Sequence, residues 1–136
     1  MNLNEFFNDL ASNSSRNYKV EQLEKNRNDS LLRRAVQLAL DPFTNFYIRK
    51  IPDYEFVGYD SEHQSCLEVA LENLYYLSSR EVTGNAAIAH LRTVLSSLEP
   101  DDAKVIERII QKDLKCGVQV STANAVWTGL VHEYPV

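Results

Sequence analysis

Acid–base or metal chemistry in this chain would first be sought at the neighbouring carboxylates Asp101 and Asp102 and at its three histidines, His63, His90 and His132. Asp101 and Asp102 follow Pro100, and a proline with acids in a first helical turn is a strong start signal, since anions there complement the helix dipole. Adjacent residues at a helix start point apart, so capping suits the pair better than sharing a proton. The histidines are scattered and lack metal-ligand spacing with each other or with Cys66 and Cys116. No GxxxxGK[ST] phosphate loop, GxSxG elbow or GxGxxG turn occurs. No independent active site, metal or cofactor is expected.

Three stretches suit an anion instead. Thr83-Gly84-Asn85 feeds directly into Ala86-Ala87-Ile88, and a glycine turn opening a helix offers backbone N–H groups at the positive end of a dipole. Every helix has such an end, and ordinary capping by Thr83 explains it better. From Arg108 to Trp127 a basic helix end runs through Gly117 into a second helix. There Lys112 and Lys115 would supply charge, Gly117 and Val118 close backbone approach, and Ser121 and Asn124 polar contacts to a sugar-phosphate chain. Arg49-Lys50, behind Tyr47, is the third, with a solvated surface pair as the alternative.

These stretches need helices to position them. Leu3, Phe6, Phe7 and Leu10 recur at helical spacing. After the polar run 11–15, a second helix is expected from Arg16 to Lys25, with Tyr18, Val20 and Leu23 facing inward. Asp29 or Ser30 caps a third, Leu31 to Leu40, which Asp41-Pro42 stops. Phe43–Lys50 reads as a helical turn or an extended connection, and Ile51–Ser65 as a long loop. A fourth helix is expected over Glu62–Ser79, striped by Leu67, Ala70, Leu71, Leu74 and Leu77. A fifth spans Ala86–Leu98. A sixth starts at Glu99-Pro100 and carries Val105, Ile106, Ile109 and Ile110. A short last one runs from Ser121 or Thr122 to Trp127. No strand pair alternates cleanly, so the expectation is an all-α single domain of six to eight helices.

At 136 residues the chain can bury a real core as one domain. No apolar run approaches the roughly 18 residues of a membrane span, and the start lacks a signal peptide's basic-then-apolar order. A soluble intracellular monomer with two buried free thiols is expected. The net charge of −5 hides an uneven distribution. Residues 16–50 carry eight Lys/Arg against four Asp/Glu, whereas residues 51–102 carry two against ten. A phosphate-binding face remains open if the basic first part meets the last. The acidic middle, with Tyr54, Phe56 and Tyr59 in its loop, suits a protein partner instead, unless those rings are buried in the domain itself.

The order of features resembles the N-terminal DNA-binding domain of ATP-dependent DNA ligases of the T-even-phage type. The matching runs are Leu23-Glu24-Lys25-Asn26 with Leu31-Leu32-Arg33-Arg34, Phe46 through Pro52, Thr83 through Ile88, Asp113 through Val118, and Ala123 through Leu130. Where the family pattern carries a lysine and prolines, this chain has Ala125, Thr128 and His132. The resemblance implies a helical domain that grips the minor-groove side of nicked duplex DNA through its backbone, in a phage-infected bacterial cytoplasm. The family's KxDG lysine, which accepts AMP, is absent. The nucleotidyltransferase and OB-fold domains, with their ATP and magnesium, are therefore expected elsewhere. Docking to a replication sliding clamp through Tyr54, Phe56 and Tyr59 is the alternative role.

Overall fold

A computed structural model describes residues 2–132. Eight helices occur among them and no strand. They are α1 (Leu3–Ala11), α2 (Arg16–Lys25), α3 (Ser30–Leu40), α4 (Leu67–Asn73), α5 (Tyr75–Ser78), α6 (Gly84–Ser96), α7 (Pro100–Ile110) and α8 (Val120–Val126).

The first three helices begin where short polar side chains replace the missing intrahelical acceptors. The side chain of Asn2 accepts from the Glu5 N–H, Ser15 from Tyr18, and Asp29 from both Leu31 and Leu32. Pro100 opens α7 with Asp101 and Asp102 in its first turn. Asp101 also accepts from the Asn2 and Asn4 amides, tying the start of α1 to that of α7.

Helix α7 is the hub. It packs against α1, α3, α4 and α6, while α2 pairs with α8. Ala103, Val105, Ile106 and Ile109 of α7 are wholly buried, among Phe7, Leu10, Leu32, Leu74, Leu91 and Leu95. Burying an aliphatic side chain of this size is worth about 1.5–3 kcal/mol, so this one helix organises much of the core.

The expected fourth helix differs most from its outline. It starts at Leu67, because Ser61 turns the chain back through its own carbonyl and hydroxyl, and the Ser65 N–H is drawn to Ser97 O at 2.6 Å. It then breaks at Leu74. His90 Nε2 lies 3.0 Å from Asn73 O, and since a carbonyl only accepts, that nitrogen carries a proton. The Leu77 N–H bonds Leu74 O instead of continuing the helical pattern to Asn73, and α5 leaves as a separate turn. The apolar stripe from Leu67 to Leu77 is nonetheless buried throughout. Residues 43–50 contain no helical turn. The thiols differ from expectation too: Cys116 is buried, and Cys66, just before α4, is exposed.

Candidate nucleic-acid interface

Residues 46–51 cross the surface as an irregular ridge whose side chains divide between core and solvent. Phe46 is buried and Ile48 and Ile51 pack on the core, while Tyr47, Arg49 and Lys50 are exposed. A shallow groove runs along each flank. One, about 430 Å3, is lined by Tyr47, Arg49, Arg80 and Lys112; the other, about 250 Å3, by Lys50, Asp53, Ile88 and Arg92. Asp53 is the one acid lining either. The Arg80 guanidinium sits 4.3 Å from the Tyr47 ring centroid. Arg49, Lys50 and Arg80 form no ion pair among the described residues. Tyr47 and Arg80 both have left-handed backbones, with φ of 62° and 61°. Bulky residues rarely accept that conformation without a surrounding structure that enforces it. Arg80 and Arg92 belong to this surface although nothing in their sequence neighbourhood singles them out.

Helix α6 starts beside the ridge, since Ile88, one turn in, lines the Lys50 groove. Thr83 contributes no side-chain cap, contrary to the capping alternative, and Gly84 begins the helix at φ +59°. Thr83, Gly84 and Asn85 are all exposed. The first N–H groups of this 13-residue helix are therefore free of side-chain partners from Thr83 and open to solvent.

The connector between α7 and α8 is pinned from within. The Lys112 ammonium donates to Leu38 O and Asp41 O, both at 2.7 Å. Burial lowers its pKa to about 8, against an opposing pull from Asp41. Lys112 is thus a half-buried clasp on the end of α3 that also borders the Arg49 groove. Burial alone would raise Asp41's own carboxyl, but the Phe43 N–H, the Thr44 hydroxyl and His132 hold it below the ordinary value. Arg108 donates to Leu114 O and, at 2.7 Å, to Asn8 Oδ1. Lys115 is exposed, Gly117 is exposed at φ +76°, and Val118 is buried. Ser121 is exposed in the first turn of α8. Asn124 makes two 3.0 Å bonds with the Val131 backbone, so its amide closes the turn after α8.

The aromatic loop divides. Tyr54 is half-buried and donates to Glu107 Oε2 at 2.6 Å; burial, then that bond, push its phenol far above its ordinary pKa. It anchors the loop on α7. Phe56 is half-buried and meets Tyr59 edge-on at 4.9 Å, and Tyr59 is 66% exposed. No cluster of potential metal ligands occurs among the described residues, and no described helix is long and apolar enough to cross a membrane.

No family model matches the chain. The DNA ligases of Enterobacteria phages T4 and T6 are each 36% identical to it over 129 residues, 94% of this chain. The chain spans only 26% of their length. Two solved structures superpose well: "Pmar-Lig_PreS3", with a TM-score of 0.78 at 24% identity, and "Pmar-Lig_Pre.", with 0.76 at 25%. Each covers 93% of this chain, which spans 29% of theirs. The likeness to phage ligase expected from the ridge, the Thr83 turn and the Gly117 connector thus extends along nearly the whole chain.

Proposed function

We propose that this domain grips nicked duplex DNA through its sugar-phosphate backbone on the minor-groove side, positioning the nick for a ligase's catalytic domain. The observation that carries the reading is the ridge of Arg49 and Lys50 between two grooves, with Arg80 and Arg92 on their walls and one acid among them. In a chain of net charge −5, unpaired arginines gathered on one side are otherwise unfavourable, because they repel one another. Phosphates would relieve that repulsion and release counterions, which makes such binding strongly salt-dependent. Contacts of this kind fix register and orientation and read shape instead of sequence, as sealing nicks anywhere requires. The free N–H groups at the start of α6 add donors beside the same ridge. ATP and magnesium chemistry would belong to other domains, since this chain holds no KxDG lysine.

The test is fluorescence anisotropy of the domain with nicked and intact duplexes across a salt series. Salt-sensitive binding with a preference for the nick is expected. Arg49→Ala and Arg80→Ala should each flatten the log–log salt slope by about 0.9. Absence of binding even at low salt would reject the reading.

One observation favours a second reading, docking to a replication sliding clamp. Tyr59 stands exposed against Phe56 in a loop that also carries Glu55, Asp60 and Glu62. Clamp binding that survives Tyr59→Ser would remove this loop from that role.

A further inference from the structure

Tyr47 combines two features that folding does not favour, an exposed ring and a left-handed backbone. The ring is 59% exposed, so it forgoes most of the stabilisation that burying an aromatic gives. A bulky residue at positive φ adds strain that the surrounding structure must offset, and such strain gathers where a side chain has to be aimed. Arg80, left-handed as well, places its guanidinium over the ring, 4.3 Å from the centroid. No second cation or ring meets Tyr47 among the described residues. One face of the ring is thus backed by a cation and the other is bare.

The groove beside it, about 430 Å3, is lined by no acid. Arg49 and Arg80 are exposed there and form no ion pair among the described residues. Asn45 is exposed in the same lining, with an amide that both donates and accepts. Cations alone would serve a phosphate backbone, and a bare ring adds nothing to that. An aromatic face among cations is what a single strand uses, because its bases stack on rings while its phosphates meet the charges. Inside a duplex each base is covered by its neighbours, so only an unpaired base has a π-face to offer.

We propose that the Tyr47–Arg80 pair is a stacking platform for one unpaired nucleobase of single-stranded DNA, with Asn45 at the base edge and Arg49 on the adjoining phosphate. The platform shares the cations of the reading above and rests on it for DNA as the ligand class, but it needs no duplex. It lets the domain hold the bare strand of a gap or overhang.

The domain is titrated with oligodeoxythymidylate, which forms no duplex by itself, and with nicked duplex, following anisotropy across a salt series. Tyr47 ring-proton NMR signals are followed with the single strand. The oligonucleotide should bind with salt sensitivity and shift those signals. Tyr47→Ala should weaken its binding about tenfold, several times more than that of the nicked duplex, and keep the salt slope, because the ring carries no charge. Tyr47→Phe should restore the affinity, since stacking uses the ring and not the hydroxyl. Should Tyr47→Ala fold poorly, Tyr47→Gly, which suits a left-handed backbone, takes its place. Duplex binding without single-strand binding overturns the platform and leaves the earlier reading standing. Equal losses for both ligands, or Tyr47 signals indifferent to the bound strand, overturn it too. Single-strand binding that depends on Tyr47, with no affinity for nicked duplex, keeps the platform and rejects the earlier reading. Binding of neither at low salt rejects both.

Discussion

Two irregular stretches of this domain are built on opposite terms. The connector 111–119 is braced by three cations reaching backbone carbonyls, Lys19 to Cys116, Arg108 to Leu114, and Lys112 to the end of α3. It carries left-handed residues at Lys112, Lys115 and Gly117. The loop 51–65 is held at its two ends and one point between: Arg92 to Asp53 O and Tyr54 to Glu107 near the start, then backbone bonds from Val57 and Ser65 to the end of α6. Between them Tyr59 stands free of the core. Chain without secondary structure is therefore not uniformly soft. Where buried or half-buried ammonium and guanidinium groups satisfy the carbonyls of a connector and of adjoining helix ends, it can be as fixed as a helix. A fixed connector can present backbone and charge to a ligand at little ordering cost.

The largest effect should come from Lys19→Met. It keeps most of the stem's volume but leaves the buried Leu10 and Cys116 carbonyls without their donor, at roughly 3 kcal/mol in urea unfolding. A loss under about 1 kcal/mol would mean that water replaces the ammonium and that the connector is less fixed than its clasps imply. Gly117→Ala comes next. A β-carbon in the left-handed region costs roughly 1–2 kcal/mol, and here it also meets Lys19 Nζ. The same change at Gly84, where nothing lies within 4 Å, should cost only the conformational part. Lys112 gives a smaller, pH-dependent contribution. Its folded pKa of about 8 lies below the ordinary 10.5, chiefly through burial. Between those values the unfolded chain binds more protons, so this group's penalty is full below pH 8 and is relieved as pH rises toward 10.5. Lys112→Met should remove that rise, measured as the difference between wild-type and variant urea midpoints at pH 7 and pH 9.5.

How far such differences were legible in the sequence depends on the range of the interactions. Local signals sufficed for α2, expected and found over Arg16–Lys25, and for the inward stripes of α4 and α7. The exposed Arg49-Lys50 pair and the left-handed turn at Gly117 were also visible, one as charge beside aromatics and the other as a glycine between helices. The break at Leu74 was not, because the group that meets the Asn73 carbonyl there, His90, lies 17 residues away. Lys19 is absent from the inward set of Tyr18, Val20 and Leu23 that helical spacing picks out. Its long stem crosses the core while its head meets two carbonyls, one 97 residues distant. Arg80 gains its place only through a left-handed backbone and the Tyr47 ring across the groove. Long charged side chains are where sequence patterning says least, since the same residue can be solvated, clasped inside or held ready for a ligand.

The smallest effect separates the two regions most cleanly. Tyr59→Ser removes a ring that is 66% exposed and meets Phe56 edge-on. Little apolar area leaves the core, and a surface change away from caps and clasps ordinarily stays within about 0.5 kcal/mol. Tyr54, not Tyr59, anchors this loop, so its backbone bonds to Ser96 and Ser97 should persist. The expected outcome is an unchanged urea midpoint and unchanged duplex affinity and salt slope, since Tyr59 is neither cationic nor among the ridge and groove residues. A stability loss above about 1 kcal/mol would show the loop to be packed as firmly as the connector. A loss of duplex affinity at constant stability would extend the proposed DNA-facing surface across the acidic loop, against the charge it carries.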